Sequence, residues 1–232
     1  MLSDVTSEVL RRNSEAVLER IEFACARAGR APGEVRLVAV TKTLGPHVVA
    51  MARALGIRDF GENYVQELRG KRSAAPDATW HYVGRVQSNT AKHVAELADF
   101  VHGLEPGGAA SRLSRRAETR NERLAVLVQV DFTGNRAGAA PEEVPALAEE
   151  ISALEGLTLA GLMTLPPMPE RPEDARPYFR RLRLLRDRLL NTHPEAVELS
   201  MGMSLDYEVA VEEGATMVRI GTALFGQRPP NG

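Results

Sequence analysis

Lysine is nearly missing from this 232-residue chain. It occurs only at Lys42, Lys71 and Lys92, and the other 26 of the 29 basic residues are arginine. Only the lysine amine deprotonates near neutral pH and forms imines, so each lysine is worth placing. Cysteine is represented by Cys25 alone, which excludes a disulfide framework and a zinc ribbon. A net charge of −2 carries no basic excess of the kind that nucleic acids require. No stretch reaches the ~18 uninterrupted apolar residues of a membrane span. The N-terminus is charged and helix-periodic, unlike a signal peptide. The five histidines are scattered without an H-E-x-x-H pair, and no G-x-S-x-G elbow exists. These absences predict a soluble, cytoplasmic protein that binds no metal, nucleic acid or membrane.

What is present is 44% hydrophobic residues, enough for a substantial core. Residues 3–29 read as one amphipathic helix with Val9, Ala16, Val17, Leu18, Ile21 and Ala24 on its apolar stripe, ended by Gly29. VRLVAVTK (35–42) then reads as a strand buried on both faces, and Pro46 opens a helix closed by Gly56. Further strands are expected near 58–62, 80–84, 99–103, 124–131, 157–163, 197–200 and 217–220. Helices fall between them, near 63–73, 89–98, 108–119, 141–154, 173–192 and 205–213. Eight βα units predict a single-domain (β/α)8 TIM barrel over 35–226, with an extra N-terminal helix in 1–30. The competing architecture is an open doubly wound sheet, although no G-x-G-x-x-G follows a strand. In the segment 176–190, Phe179, Leu182, Leu185 and Leu189 form one stripe, which leaves its arginines to a solvated face.

Barrel sites lie at the C-terminal strand ends. Period-two alternation puts Val38, Val40 and Lys42 on one face of the first strand, so a lone amine emerges at the rim of a dry interior. A lysine there serves as a nucleophile toward carbonyls or pairs with a carboxylate such as Glu62. The ends of the last two strands read LSMGMSLD (199–206) and RIGTALFG (219–226). Each offers a hydroxyl, a glycine and free backbone N–H groups suited to a phosphate. The bland alternative is turn chemistry, with Ser204 as a helix cap. A Schiff-base lysine opposite two phosphate-ready loops points to pyridoxal phosphate (PLP). Arg219 shares a face with Met217 and Gly221, and a guanidinium beside a pyridine nitrogen only donates, keeping that nitrogen unprotonated and a poor electron sink. Lys71, in an exposed-looking helical tail, and Lys92, in the helix after Asn89, are the lesser candidates.

AVTK (39–42), FGENYVQE (60–67), WHYVGRVQSN (80–89), GLMTLP (161–166) and LSMGMSLDYEVAVEEGATMVRIGTALFG (199–226) closely resemble the pyridoxal phosphate homeostasis protein family. The resemblance implies a barrel like the N-terminal domain of alanine racemase, with PLP as an aldimine on Lys42. It further implies phosphate contacts around Ser200, Met201, Gly202, Gly221 and Thr222, the pyridine nitrogen near Arg219, and Asn63 beside the ring. The family often has Pro where Arg85 stands and Lys where Thr90 stands. It also implies a carrier that buffers PLP or delivers it to apo PLP-dependent enzymes in vitamin B6 and amino-acid homeostasis, without robust catalysis; as a lone barrel it is expected to be a monomer. The alternative is a slow amino-acid racemase or lyase. Racemases of this fold draw a second base, a tyrosine, from another domain. Only QRPPNG follows Gly226, and no motif places Tyr64, Tyr82, Tyr178 or Tyr207 in that role.

Overall fold

A computed structural model describes residues 5–119 and 123–227. Residues 3 and 4, which open the predicted first helix, and all but Gln227 of the terminal QRPPNG lie outside the described residues.

Eight parallel strands close into a barrel in chain order. They are β1 (Arg36–Val40), β2 (Asp59–Glu62), β3 (Thr79–Tyr82), β4 (Phe100–Leu104), β5 (Leu124–Val130), β6 (Leu157–Thr164), β7 (Glu198–Ser200) and β8 (Met217–Ile220). Closure is made by β8 pairing with β1, which sets Val38 against Arg219. The helices that follow the strands are α2 (Pro46–Ala54), α3 (Val65–Lys71), α4 (Ala91–Leu97), α5 (Ala109–Ala117), α6 (Val144–Ser152), α7 (Arg176–Leu189), α8 (Tyr207–Glu212) and α9 (Thr222–Phe225), with α1 (Ser7–Arg27) ahead of the barrel. Every strand therefore has its helix, including the last, where only a four-residue turn fits. The closed barrel excludes the open-sheet alternative. No helix among the described residues is long and apolar enough to cross a membrane.

The stripe of α1 differs from the expectation. Leu10, Ser14, Val17, Ile21 and Ala24 are buried, whereas Val9 and Leu18 face solvent and Ala16 is exposed. Steps of four, three, four and three keep the buried set in line with the helical repeat. Ser14 joins it because its hydroxyl donates to the Leu10 carbonyl at 2.7 Å, which removes its need for water. This face lies over α8 and α9, where the Asn13 amide donates to the Leu224 carbonyl and Arg27 pairs with Glu208 and Glu212. On α7, Phe179, Leu182 and Leu189 are buried as expected. Its arginines are drawn to acidic neighbours: Arg176 bonds Glu173, Glu212 and Glu213, and Arg183 bonds Glu213.

Most of the apolar core lies between the barrel wall and the helices, around Phe60, Trp80, Leu104, Leu113 and Phe179. Inside the barrel the apolar cluster is small, with Leu127, Ala160 and Met163 at its centre. A slip in the β5–β6 register, where Val126 pairs Leu159 but Leu127 pairs Gly161, brings Ala160 to that cluster. Gly161 sits at φ +152, and a Cβ there would meet the Glu198 carbonyl at 2.0 Å, so only glycine lets β7 approach. Beside it the interior also buries His81, His102, Ser200 and Arg219, whereas branched aliphatic layers are usual in such barrels.

Candidate functional site

A cavity of about 590 Å³ opens among the loops that follow the strands, within the ~300–1,000 Å³ typical of small-molecule sites. Val40 comes to it from the last position of β1, and Lys42 from the turn just beyond, so the strand ends two residues before the expected Lys42. Asn63 enters from the end of β2, Arg219 from β8, and Gly221 and Thr222 from the turn into α9. These five predicted residues share one cavity.

Ser200, Met201 and Gly202 do not line it. The Ser200 side chain turns into the bore, where Arg219 donates to its hydroxyl and His102 bonds it at 2.8 Å. Met201 is fully buried, with its N–H on the Met217 carbonyl. Gly202 has φ +94, and a Cβ would meet the Ala210 methyl at 2.5 Å; its role is the close packing of α8 beneath the loop. The hydroxyl that reaches the cavity from this loop is Ser204, which accepts the Ala223 N–H at 3.1 Å and so ties the β7 loop to α9. Ser204 is therefore not the cap of the helix that follows it, which Asp206 precedes; its hydroxyl is used across the loop instead. Asp206 precedes α8 and accepts the Met203 N–H at 2.7 Å.

The expected alternative for Lys42, an ion pair with Glu62, is not formed. Glu62 points outward from the barrel wall and is taken by Lys71, at 2.8 Å, and by the Thr41 hydroxyl at 2.5 Å. Lys71 is a correction to the sequence reading: it is buried, not exposed. Val65, Leu68 and Lys71 share one face of α3, and that spacing was the available signal. Its ammonium also donates to Glu67 at 2.5 Å and to the Thr41 carbonyl at 2.8 Å. Glu67 in turn accepts the N–H of Thr43 at 2.6 Å. Thr43 has φ +66, the left-handed region that a β-branched residue rarely enters, so this carboxylate holds a strained turn. Both neighbours of Lys42 are thus fastened to one buried cluster, while Lys42 itself reaches the cavity, and no carboxylate among the described residues pairs with it. Burial pushes the Glu62 carboxyl above its ordinary range despite Lys71 and Thr41, and its Oε2 has no hydrogen-bond partner.

Arg219 is almost completely buried. Burial pulls its pKa down to about 10, which leaves it a cation at neutral pH. It donates to Ser200 and to the Thr164 carbonyl, the latter at 3.1 Å. His81, a candidate for ligand contact, lies in the bore between His102 and Asp59 and away from the cavity. Lys92 is on the exposed face of α4 and does not line the cavity. None of the four tyrosines lines it either. Sequence reasoning missed Arg136 and Met168, which come to the rim on the loops after β5 and β6. No group of three metal-ligating side chains occurs among the described residues.

The profile of the alanine racemase N-terminal domain family matches residues 13–229. The pyridoxal phosphate homeostasis protein of Aquifex aeolicus is 44% identical over 217 residues, covering 91% of this chain and 95% of that one. Among solved structures, PipY of Synechococcus elongatus with PLP bound superposes with a TM-score of 0.79 at 35% identity, over 90% of this chain and all of its own. Alanine racemase of Clostridium difficile shares the fold, with a TM-score of 0.75 at 17% identity, over 97% of this chain and 58% of the enzyme. On its sequence and on its barrel, this chain belongs to the pyridoxal phosphate homeostasis proteins, built on the alanine racemase N-terminal domain.

Proposed function

We propose that this protein binds pyridoxal phosphate in the cavity, holds it through Lys42, and buffers or delivers it without robust catalysis. One observation carries the reading: an amine, a buried guanidinium and a hydroxyl- and glycine-bearing pair of loops converge on one cavity. When bound, the cofactor supplies an aldehyde for an amine, a ring nitrogen for a donor and a phosphate for backbone N–H groups. Lys42 serves the first, Arg219 the second, and Ser204, Gly221 and Thr222 the third, with Asn63 beside the ring. The phosphate contacts therefore centre on Ser204 in place of Ser200. The PLP bound in PipY and the names of the homologues support PLP as the ligand.

The case against efficient amino-acid chemistry rests on two features. Arg219 is a permanent donor, so the ring nitrogen beside it stays unprotonated and withdraws electrons weakly. No tyrosine lines the cavity to act as a second base.

The test is to incubate the protein with PLP, reduce with borohydride and map the labelled peptide. Label on Lys42 is expected, and none in Lys42→Ala. A protein that stays unlabelled overturns the cofactor assignment, and label on Lys71 or Lys92 overturns the site. Steady α-proton exchange of an amino acid, lost in Lys42→Ala, would overturn the carrier reading.

A further inference from the structure

Five side chains join end to end inside the barrel. Arg219 of β8 donates to the Ser200 hydroxyl of β7, which meets His102 Nδ1 of β4 at 2.8 Å. His102 Nε2 meets His81 Nδ1 of β3 at 2.8 Å, and His81 Nε2 meets Asp59 Oδ1 of β2 at 2.9 Å. The chain crosses the bore from β7 to β4 and runs from the cavity to the first residue of β2, at the opposite end of the barrel. Both histidines and Ser200 are fully buried.

With both rings neutral, the two ends fix every proton between them. A carboxylate only accepts, so His81 must carry its proton on Nε2 and leave Nδ1 bare. His102 then donates from Nε2 and leaves its own Nδ1 bare. Ser200 must give its single proton to that nitrogen, and its lone pairs are left for Arg219, which only donates. With both rings neutral, each link pairs one donor with one acceptor. Burial first, then the neighbouring His81, Arg219 and Arg36, hold the His102 pKa well below the ordinary value, in keeping with a neutral His102 ring. The guanidinium is thereby gripped from behind by Ser200 and by the Thr164 carbonyl, while its remaining N–H groups are free to meet the cavity.

We propose that Asp59, His81, His102 and Ser200 form a proton-ordered relay that positions Arg219 toward the cofactor's ring nitrogen. His102 and Ser200 are then positioning residues of a site they do not touch. The inference rests on the PLP reading for its purpose but not for its geometry, so it is tested first without cofactor. In apo protein labelled with ¹⁵N-histidine, NMR at about pH 7 should find both rings neutral with the proton on Nε2. A charged ring or an Nδ1–H tautomer at either position overturns the relay. The second measurement uses PLP carrying ¹⁵N in its ring. His102→Leu should shift that resonance and speed cofactor release about tenfold or more. His102→Asn, whose Oδ1 can stand in for Nδ1 as the acceptor, should keep the resonance near the wild-type position. An unmoved resonance in folded His102→Leu overturns the positioning role. If that variant does not fold, the wild-type tautomers still decide. Failure of wild-type protein to take up PLP would defeat the functional reading and leave the tautomer result intact.

Discussion

Replacing Lys71 with methionine removes one charge while nearly keeping the volume of the side chain. The ammonium makes three bonds, to Glu62, Glu67 and the Thr41 carbonyl. Glu67 is partly exposed and can turn to water, so Glu62 bears the loss. It is fully buried, one of its oxygens has no partner, and among the described residues Lys71 supplies its only ion pair. Removing one member of a buried pair costs about 3–5 kcal/mol. At ~2–4 °C per kcal/mol for a chain of this size, the melting temperature should fall by roughly 6–20 °C. The loss should also depend on pH, with a definite sign. Burial already raises the Glu62 carboxyl above its unfolded value, and loss of Lys71 raises it further. A raised carboxyl binds its proton more tightly in the folded state, so folding is penalised above the unfolded pKa and increasingly as pH climbs through the folded one. The gap between wild type and Lys71→Met, read by circular dichroism melts, should therefore widen from about pH 5 to about pH 8. Adding Glu62→Gln should recover most of the lost stability, because the charge without a partner is gone. A variant that melts within about 1 °C of wild type at the higher pH, or a gap that does not change with pH, would refute the reasoning.

Other outcomes follow from the same geometry. Gly202→Ala places a methyl against the Ala210 methyl at a positive φ, and should lower the unfolding free energy by about 2–6 kcal/mol in urea titrations followed by Trp80 fluorescence. A cost under about 0.5 kcal/mol would mean that the α8 loop is not tightly packed. His102 is held neutral by burial, so its folded pKa lies below the unfolded value and stability should drop as pH falls below about 6.5. One proton contributes ~1.4 kcal/mol per pH unit, so denaturant titrations between about pH 7 and pH 5 should show a shallower acid slope in His102→Leu than in wild type. Equal slopes would show that His102 takes no part. Lys42→Ala, which removes an amine that pairs with no described carboxylate, should lose the borohydride label with little change in melting temperature; a large drop would assign Lys42 a structural role instead.

The sequence by itself determined the barrel and the position of an amine at the end of its first strand. Eight alternating units have few compact solutions, and VRLVAVTK reads as a buried strand with an amine two residues past its end at Val40. Local patterns of this kind are legible because alternation and helical repeat act over a few residues. Tertiary structure alone decided what surrounds that amine. Ser200 and Ser204 stand four residues apart in one glycine-bearing loop. Which of them meets the cavity depends on His102, 98 residues away from Ser200, and on the Ala223 N–H, 19 residues from Ser204. Lys71 looked like a solvated tail because charge favours water, yet Glu62, Glu67 and a carbonyl from β1 together replace that water. The three lysines are chemically alike in the sequence; long-range partners bury one as a brace, leave one on the surface, and free the third to face the cavity.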